Sequence, residues 1–323
     1  ANNAGLCGTN FKLFSKTAPI KLPAMLAHAA LSGDLLMVAE LVKTDNVNGR
    51  HSFDLSTRAL TGRAETKGCT ITPLWGAALN GHLAVIRELV DHGAIVDLRV
   101  INTTPLFVAA ADNRLDVVAF LASHGGSIGT GGSMARSPLW AAARHGHIAV
   151  VAWLIAHGAD VNAQDESCSR SPLWCAVKNG HHDVVGALLA AGADVNARSE
   201  MRHATSMEAA AFKGDVVMMR LLATRAIDDL DGSVIVAARA GAVGAVEWLV
   251  AMGADLGPMC HDPGCLLAWR RHFALEHDVR RSHHPRHVLM EAFLHQVGFH
   301  DPTCLEIAIA IGDVAIVTAQ LNN

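Results

Sequence analysis

The chain has no tyrosine, and aromatic residues make up only 5% of it, although 51% of its residues are hydrophobic. A core must therefore be built from Ala, Val and Leu, whose modest volumes suit closely packed helices. Charge of one sign is also lacking: the formal net charge is −4 across 323 residues. That balance gives no whole-chain drive towards nucleic acid or an anionic membrane. The seven cysteines are odd in number and fall in no disulfide framework. They read as mostly free thiols of a reducing compartment. No apolar run approaches the roughly 18–20 residues that span a bilayer. Residues 1–21 are polar with scattered Lys and Phe and show no secretory pattern. Cytoplasm or nucleus is the expected location. No nucleophile, base and orienting acid stand at a spacing that would mark a catalytic triad, so no enzymatic activity and no cofactor are expected.

What the sequence does contain is one phrase written repeatedly. TPLWGAALNGHLAVIRELVDHGA begins at Thr72 and TPLFVAAADNRLDVVAFLASHGG at Thr104. SPLWAAARHGHIAVVAWLIAHGADVNA begins at Ser137 and SPLWCAVKNGHHDVVGALLAAGADVNA at Ser171. The steps between these starts are 32, 33 and 34 residues. Each element of the phrase has a physical reading. The opening Thr or Ser accepts a hydrogen bond from the first helical turn, and Pro follows where a missing N–H costs nothing. Paired alanines let two helices approach closely. Gly81, Gly146 and Gly180 end the first helix in a left-handed conformation, with Asn113 at that place in the second copy. A second apolar helix follows, as in Val150, Val151 and Leu154, and Gly93, Gly158 or Gly192 ends it. One such unit cannot bury its own apolar face, so copies must stack.

The phrase resembles the ankyrin repeat family. The resemblance implies an all-α fold: a solenoid of stacked helix–turn–helix units with projecting hairpin loops. On this reading residues 1–21 are an N-terminal arm and residues 22–256 hold repeats 1–7. An insertion at 44–70 interrupts the period and reads as a long polar loop. Repeat 6 opens at Thr205 and repeat 7 near Gly232. Residues 257–301 read as a degenerate or lengthened helix pair, and residues 302–323 as a C-terminal capping repeat. The Gly-rich stretch from Gly125 to Gly132 reads as a flexible hairpin, because no Gly-Lys-Ser/Thr follows it.

Trp75, Trp140 and Trp174 (with Phe107) occupy the place where the family usually carries His after T-P-L. Aromatic packing is expected there in place of an inter-repeat hydrogen bond. His82 and His147, after the helix stop, read as structural. Asn162 and Asn196 match the hairpin asparagines, which satisfy loop backbone and in related repeats can be hydroxylated. The family holds partners with its hairpin tips and the concave face of the first helices. The variable positions there are rich in cations: Arg136, Arg144, Arg170, Lys178, Arg202, Lys213 and Arg239. Trp140, His145, His203 and Phe212 lie among them, and Asp112 and Glu166 oppose. The expected function is a non-enzymatic scaffold that binds another protein, by an acidic or C-terminal carboxylate-bearing peptide.

Two alternatives stay open. The S/T-P-L-W phrases and the insertion are similar to those of FEM-family receptors, which read protein C-termini as ubiquitin-ligase substrate receptors. Residues 257–300 hold Cys260, His261, Cys265, His283, His284 and His287, a residue set able to bind Zn²⁺, though at spacings that match no closed zinc motif. The same segment is locally basic, which admits RNA binding.

Overall fold

The computed structural model describes residues 25–55, 66–100, 103–129, 136–165, 169–199, 205–225, 227, 230–240 and 242–254. The arm, the degenerate pair, the capping repeat and the Cys/His set from Cys260 to His287 lie outside these residues. Fourteen helices are described, and they fall into seven helix–turn–helix pairs. The pairs are α1 (Met25–Ser32) with α2 (Leu35–Leu41), α3 (Pro73–Asn80) with α4 (Leu83–Asp91), and α5 (Pro105–Ala111) with α6 (Leu115–Ser123). They continue with α7 (Pro138–His145) and α8 (Ile148–Ala156), then α9 (Pro172–Asn179) and α10 (His182–Ala190). The last two are α11 (Ser206–Lys213) with α12 (Val216–Leu222) and α13 (Asp231–Ala240) with α14 (Val243–Ala251). The chain divides into two compact units, residues 1–101 and 102–323.

The helix boundaries are written locally. Trp140 N–H donates to Ser137 Oγ at 3.0 Å, and the same bond recurs from Trp75 to Thr72, Phe107 to Thr104 and Trp174 to Ser171. Each satisfies one of the orphan donors of a helix start. Thr205 goes further, forming a reciprocal capping box with Glu208. Asn113, in the glycine position of its copy, has φ 59.

In unit 1, α1 lies against α3 and α2 against α4. In unit 2 the first helices form one row, α5–α7–α9–α11–α13, and the second helices form another behind it. The core is the seam between the rows. Val150, Val151 and Leu154 from α8 are fully buried there, as are Val184, Val185 and Leu188 from α10. Alanines fill the first-helix side: Ala142, Ala143 and Ala176 have no exposed surface. Trp75 in unit 1, and Phe107 and Trp140 in unit 2, are among the largest fully buried side chains, so a buried aromatic residue takes the place of the family's usual His in each of these repeats.

The stretch read as a loop insertion contains a strand pair. β1 (His51–Leu55) runs antiparallel to β2 (Thr66–Ile71), with His51 opposite Ile71 and Phe53 opposite Cys69. Residues 44–50, also assigned to the insertion, have the hydrogen bonds of a repeat hairpin. Asn48 Nδ2 donates to Gly93 O at 3.2 Å, and Asn48 Oδ1 accepts Ile95 N–H at 2.8 Å. Asn162 makes the equivalent pair with Gly192 O and Asp194 N–H, at 3.5 and 2.8 Å. Asn48 therefore serves as a hairpin asparagine that tethers one repeat tip to the next.

Candidate functional site

The cationic positions of unit 2 are organised by two indoles. The Ser137 and Ser171 caps fix Trp140 and Trp174 at the third residue of α7 and α9, helices that pack directly on each other. Four residues further on, on the same helix face, stand Arg144 and Lys178. Immediately before each cap stand Arg136 and Arg170. The Arg136 guanidinium lies 4.7 Å from the Trp140 ring centroid and that of Arg144 lies 5.3 Å from it. One repeat on, Arg170 lies 4.8 Å and Lys178 Nζ 4.9 Å from the Trp174 ring. All four distances fall inside the roughly 6 Å range of cation–π attraction. Each tryptophan thus holds two cations, and the arrangement is repeated on adjacent helices. The indole Nε1 donors of Trp140 and Trp174 are buried and meet no acceptor among the described residues.

Among the described residues the Asp165 carboxylate works against these charges, while Glu166 lies outside them. Asp165 is buried, and its Oδ2 lies 3.6 Å from Arg136 Nε while its Oδ1 accepts the Arg170 N–H at 2.8 Å. Its own N–H donates to Arg170 O at 3.1 Å, and its carbonyl accepts Ser169 N–H at 2.7 Å. Ser169 adopts φ 50 to close this turn. Asp165 therefore sets the turn that presents Arg170 and ties Arg136 to it. Cys175 sits below the same group of charges. Burial, reinforced by the Asp165 charge, pushes its thiol up to about 12, against the pull of Arg170, Arg144 and Arg136. It is therefore a packed thiol, not a nucleophile.

The histidines divide by role. His147 Nε2 donates to Ala111 O at 2.8 Å, His181 Nε2 to Arg144 O at 3.1 Å and, in unit 1, His82 Nε2 to Leu31 O at 3.1 Å. A carbonyl only accepts, so each ring carries its proton on Nε2. These residues link one repeat to the preceding one. His145 is different: its ring stacks on His147 at 5.9 Å between centroids. Burial, then the Arg144 charge and those of His147 and His181, lower its pKa to about 4. It adds no charge at neutral pH.

The remaining sequence candidates lie on later repeats. Lys213 is exposed at the end of α11, with its Nζ beside Gly180. Phe212, 63% exposed, contributes little to the core. Arg239 is exposed in the last turn of α13. Arg202 and His203 lie outside the described residues. Among the described residues no group of three or more His, Cys, Asp or Glu could hold a metal ion. No described helix is long and apolar enough to cross a membrane. Sequence reasoning passed over Asp165 and His181. His181 was findable from the Gly-His pair shared with His82 and His147, whereas Asp165 carried no motif.

Residues 26–131 and 124–199 match the family model of ankyrin repeats. The match spans more than half of the chain, which belongs to the ankyrin-repeat family. Its structure is similar to the ankyrin repeat domain of human ASB11, with a TM-score of 0.50 and 26% identity. That similarity covers 62% of this chain and 82% of the other. No curated protein matches the chain. Ankyrin repeats are modules of protein–protein interaction.

Proposed function

We propose that this protein is a non-enzymatic scaffold that holds a partner protein by an acidic segment laid across α7 and α9. The observation that carries this reading is the pair of indoles, Trp140 and Trp174, each flanked by two cations on neighbouring helices. Among the described residues the buried Asp165 carboxylate faces this group, beside Arg136 and the Arg170 backbone. Rigid indoles hold the cations in place before a ligand arrives, which lowers the ordering cost of binding. Charge-assisted hydrogen bonds to carboxylates, two of them at a time from each arginine, supply direction as well as attraction. A free C-terminal carboxylate offers the same chemistry as an Asp or Glu side chain.

The test is selection from a random peptide display library. The wild-type protein is expected to enrich sequences rich in Asp and Glu, and an Arg144→Glu/Lys178→Glu variant is expected to lose them. Selected peptides without acidic enrichment, or the same peptides from both proteins, would overturn the proposal. Resynthesis with free and amidated C-termini separates recognition of a terminal carboxylate from recognition of internal acids.

A further inference from the structure

The two cation–indole clusters are copies of one arrangement displaced by one repeat, and this displacement limits the ligand. Arg136, Trp140 and Arg144 stand on and before α7 in the same sequence positions as Arg170, Trp174 and Lys178 on and before α9. The two helices pack directly on each other, and packed helix axes lie roughly 8–10 Å apart. A ligand that engages both clusters must present two anions at about that distance, on one side of its backbone. An extended β-strand rises roughly 3.3 Å per residue, so its i and i+3 residues match the distance but point to opposite faces. Its i and i+2 residues share a face but span only about 7 Å. A polyproline II helix has three residues per turn and rises about 3.1 Å per residue, which places i and i+3 on one face about 9 Å apart. An α-helix reaches about 9 Å after six residues, whose side chains then point about 120° apart, and it returns to one face only at seven residues, about 10.5 Å, just beyond that distance.

We infer that the partner segment is an acidic polyproline II stretch with carboxylates at every third residue, one seated on each cation–indole cluster. This inference rests on the proposed interaction and sharpens it to a register. Such a segment carries no internal hydrogen bonds and is preformed by proline, so it loses little conformational freedom on binding. The indoles, 2% and 8% exposed for Trp140 and Trp174, position the cations more than they contact the ligand. Discrimination among sequences therefore comes from the spacing of the charges.

The experiment measures fluorescence anisotropy of labelled peptides of equal length and equal charge at low salt. One carries Glu-Pro-Pro-Glu, with the carboxylates three residues apart. The others place the same two Glu residues two or five apart in a Pro-rich background, and a single-stranded RNA serves as a non-peptide polyanion. The three-residue spacing is expected to bind roughly tenfold tighter than the others, about 1.4 kcal/mol. A Lys178→Gln variant, with its circular dichroism unchanged, is expected to lose that preference while still binding acidic peptides weakly. Equal affinity for all three spacings would overturn the register and leave the acidic interaction standing. No binding of any acidic peptide, or preferential binding of the RNA, would overturn both.

Discussion

Gly146 and Gly180 offer a controlled comparison of what a helix-stop glycine does in this fold. Their backbones are nearly identical, with φ 78 and 80. Alanine at either pays the left-handed penalty of roughly 1–2 kcal/mol. The surroundings differ. A Cβ on Gly146 would meet His181 at 2.5 Å from Nδ1 and 2.7 Å from Cε1, well inside contact distance. A Cβ on Gly180 would meet only the Lys213 Nζ, at 3.9 Å and at the end of a flexible side chain. His181 cannot retreat freely, because its Nε2 donates to Arg144 O. Relief costs that hydrogen bond, about 1 kcal/mol, and strain of the overpacking kind, about 1–3 kcal/mol. Gly146→Ala is therefore expected to destabilise the protein by about 2–4 kcal/mol more than Gly180→Ala. Urea unfolding followed by circular dichroism measures both, with His181→Ala as a third background. In that background the excess cost of Gly146→Ala should disappear. Equal losses for the two glycines, or an excess that survives removal of the imidazole, would refute the contact argument.

Other consequences follow from the same structure. Leu154 is fully buried in the seam between the helix rows, so Leu154→Ala should cost about 2–5 kcal/mol in urea unfolding. The His145 pKa is lowered from 6.5 to about 4, so the unfolded chain takes up a proton before the folded chain does. Its contribution to stability is complete above pH 6.5 and is lost as pH falls from there towards 4. His147, lowered mainly by burial, acts in the same direction, while Asp112, raised by burial, opposes it as pH nears the carboxylate range. His145→Gln should flatten the fall in midpoint between pH 6.5 and 4, and an unchanged slope would contradict the assignment. Asp165→Asn keeps an oxygen for the Arg170 N–H but removes the charge facing Arg136. It is expected to tighten binding of an acidic peptide in anisotropy measurements.

The parts of the fold that sequence made legible are those decided within a few residues. Ser137 before Pro138, Gly146 after His145 and Gly158 after His157 each act through their own backbone, so helix starts and stops could be read directly. The burial of the aromatic residues was legible for the same reason, since Trp140 sits at a fixed place in a repeating phrase. The strand pair at His51–Leu55 and Thr66–Ile71 was not, because pairing is a non-local contact between two short segments of mixed polarity. Asn48 was hidden because its hairpin lacks the Gly-Ala-Asp-Val-Asn context that marks Asn162. At the site, the cations were legible as positions but their organisation was not. Trp140 was read as aromatic packing and as part of the partner face, and Arg144 as a groove cation, but that a spacing of four residues places one against the other was not drawn. Asp165 gains its role only when the turn closes on Arg170 and the side chain meets Arg136 from the preceding repeat.

The central claim is that the cations on Trp140 and Trp174 select an acidic partner segment, and charge exchange tests it most directly. The measurement is the affinity of wild type and of the Arg144→Glu/Lys178→Glu variant for two peptides that differ only in Glu against Lys, at two salt concentrations. Wild type should bind the Glu peptide, more weakly as salt rises. The variant should lose the Glu peptide and gain the Lys peptide. Retention of the Glu peptide by the variant would contradict the account.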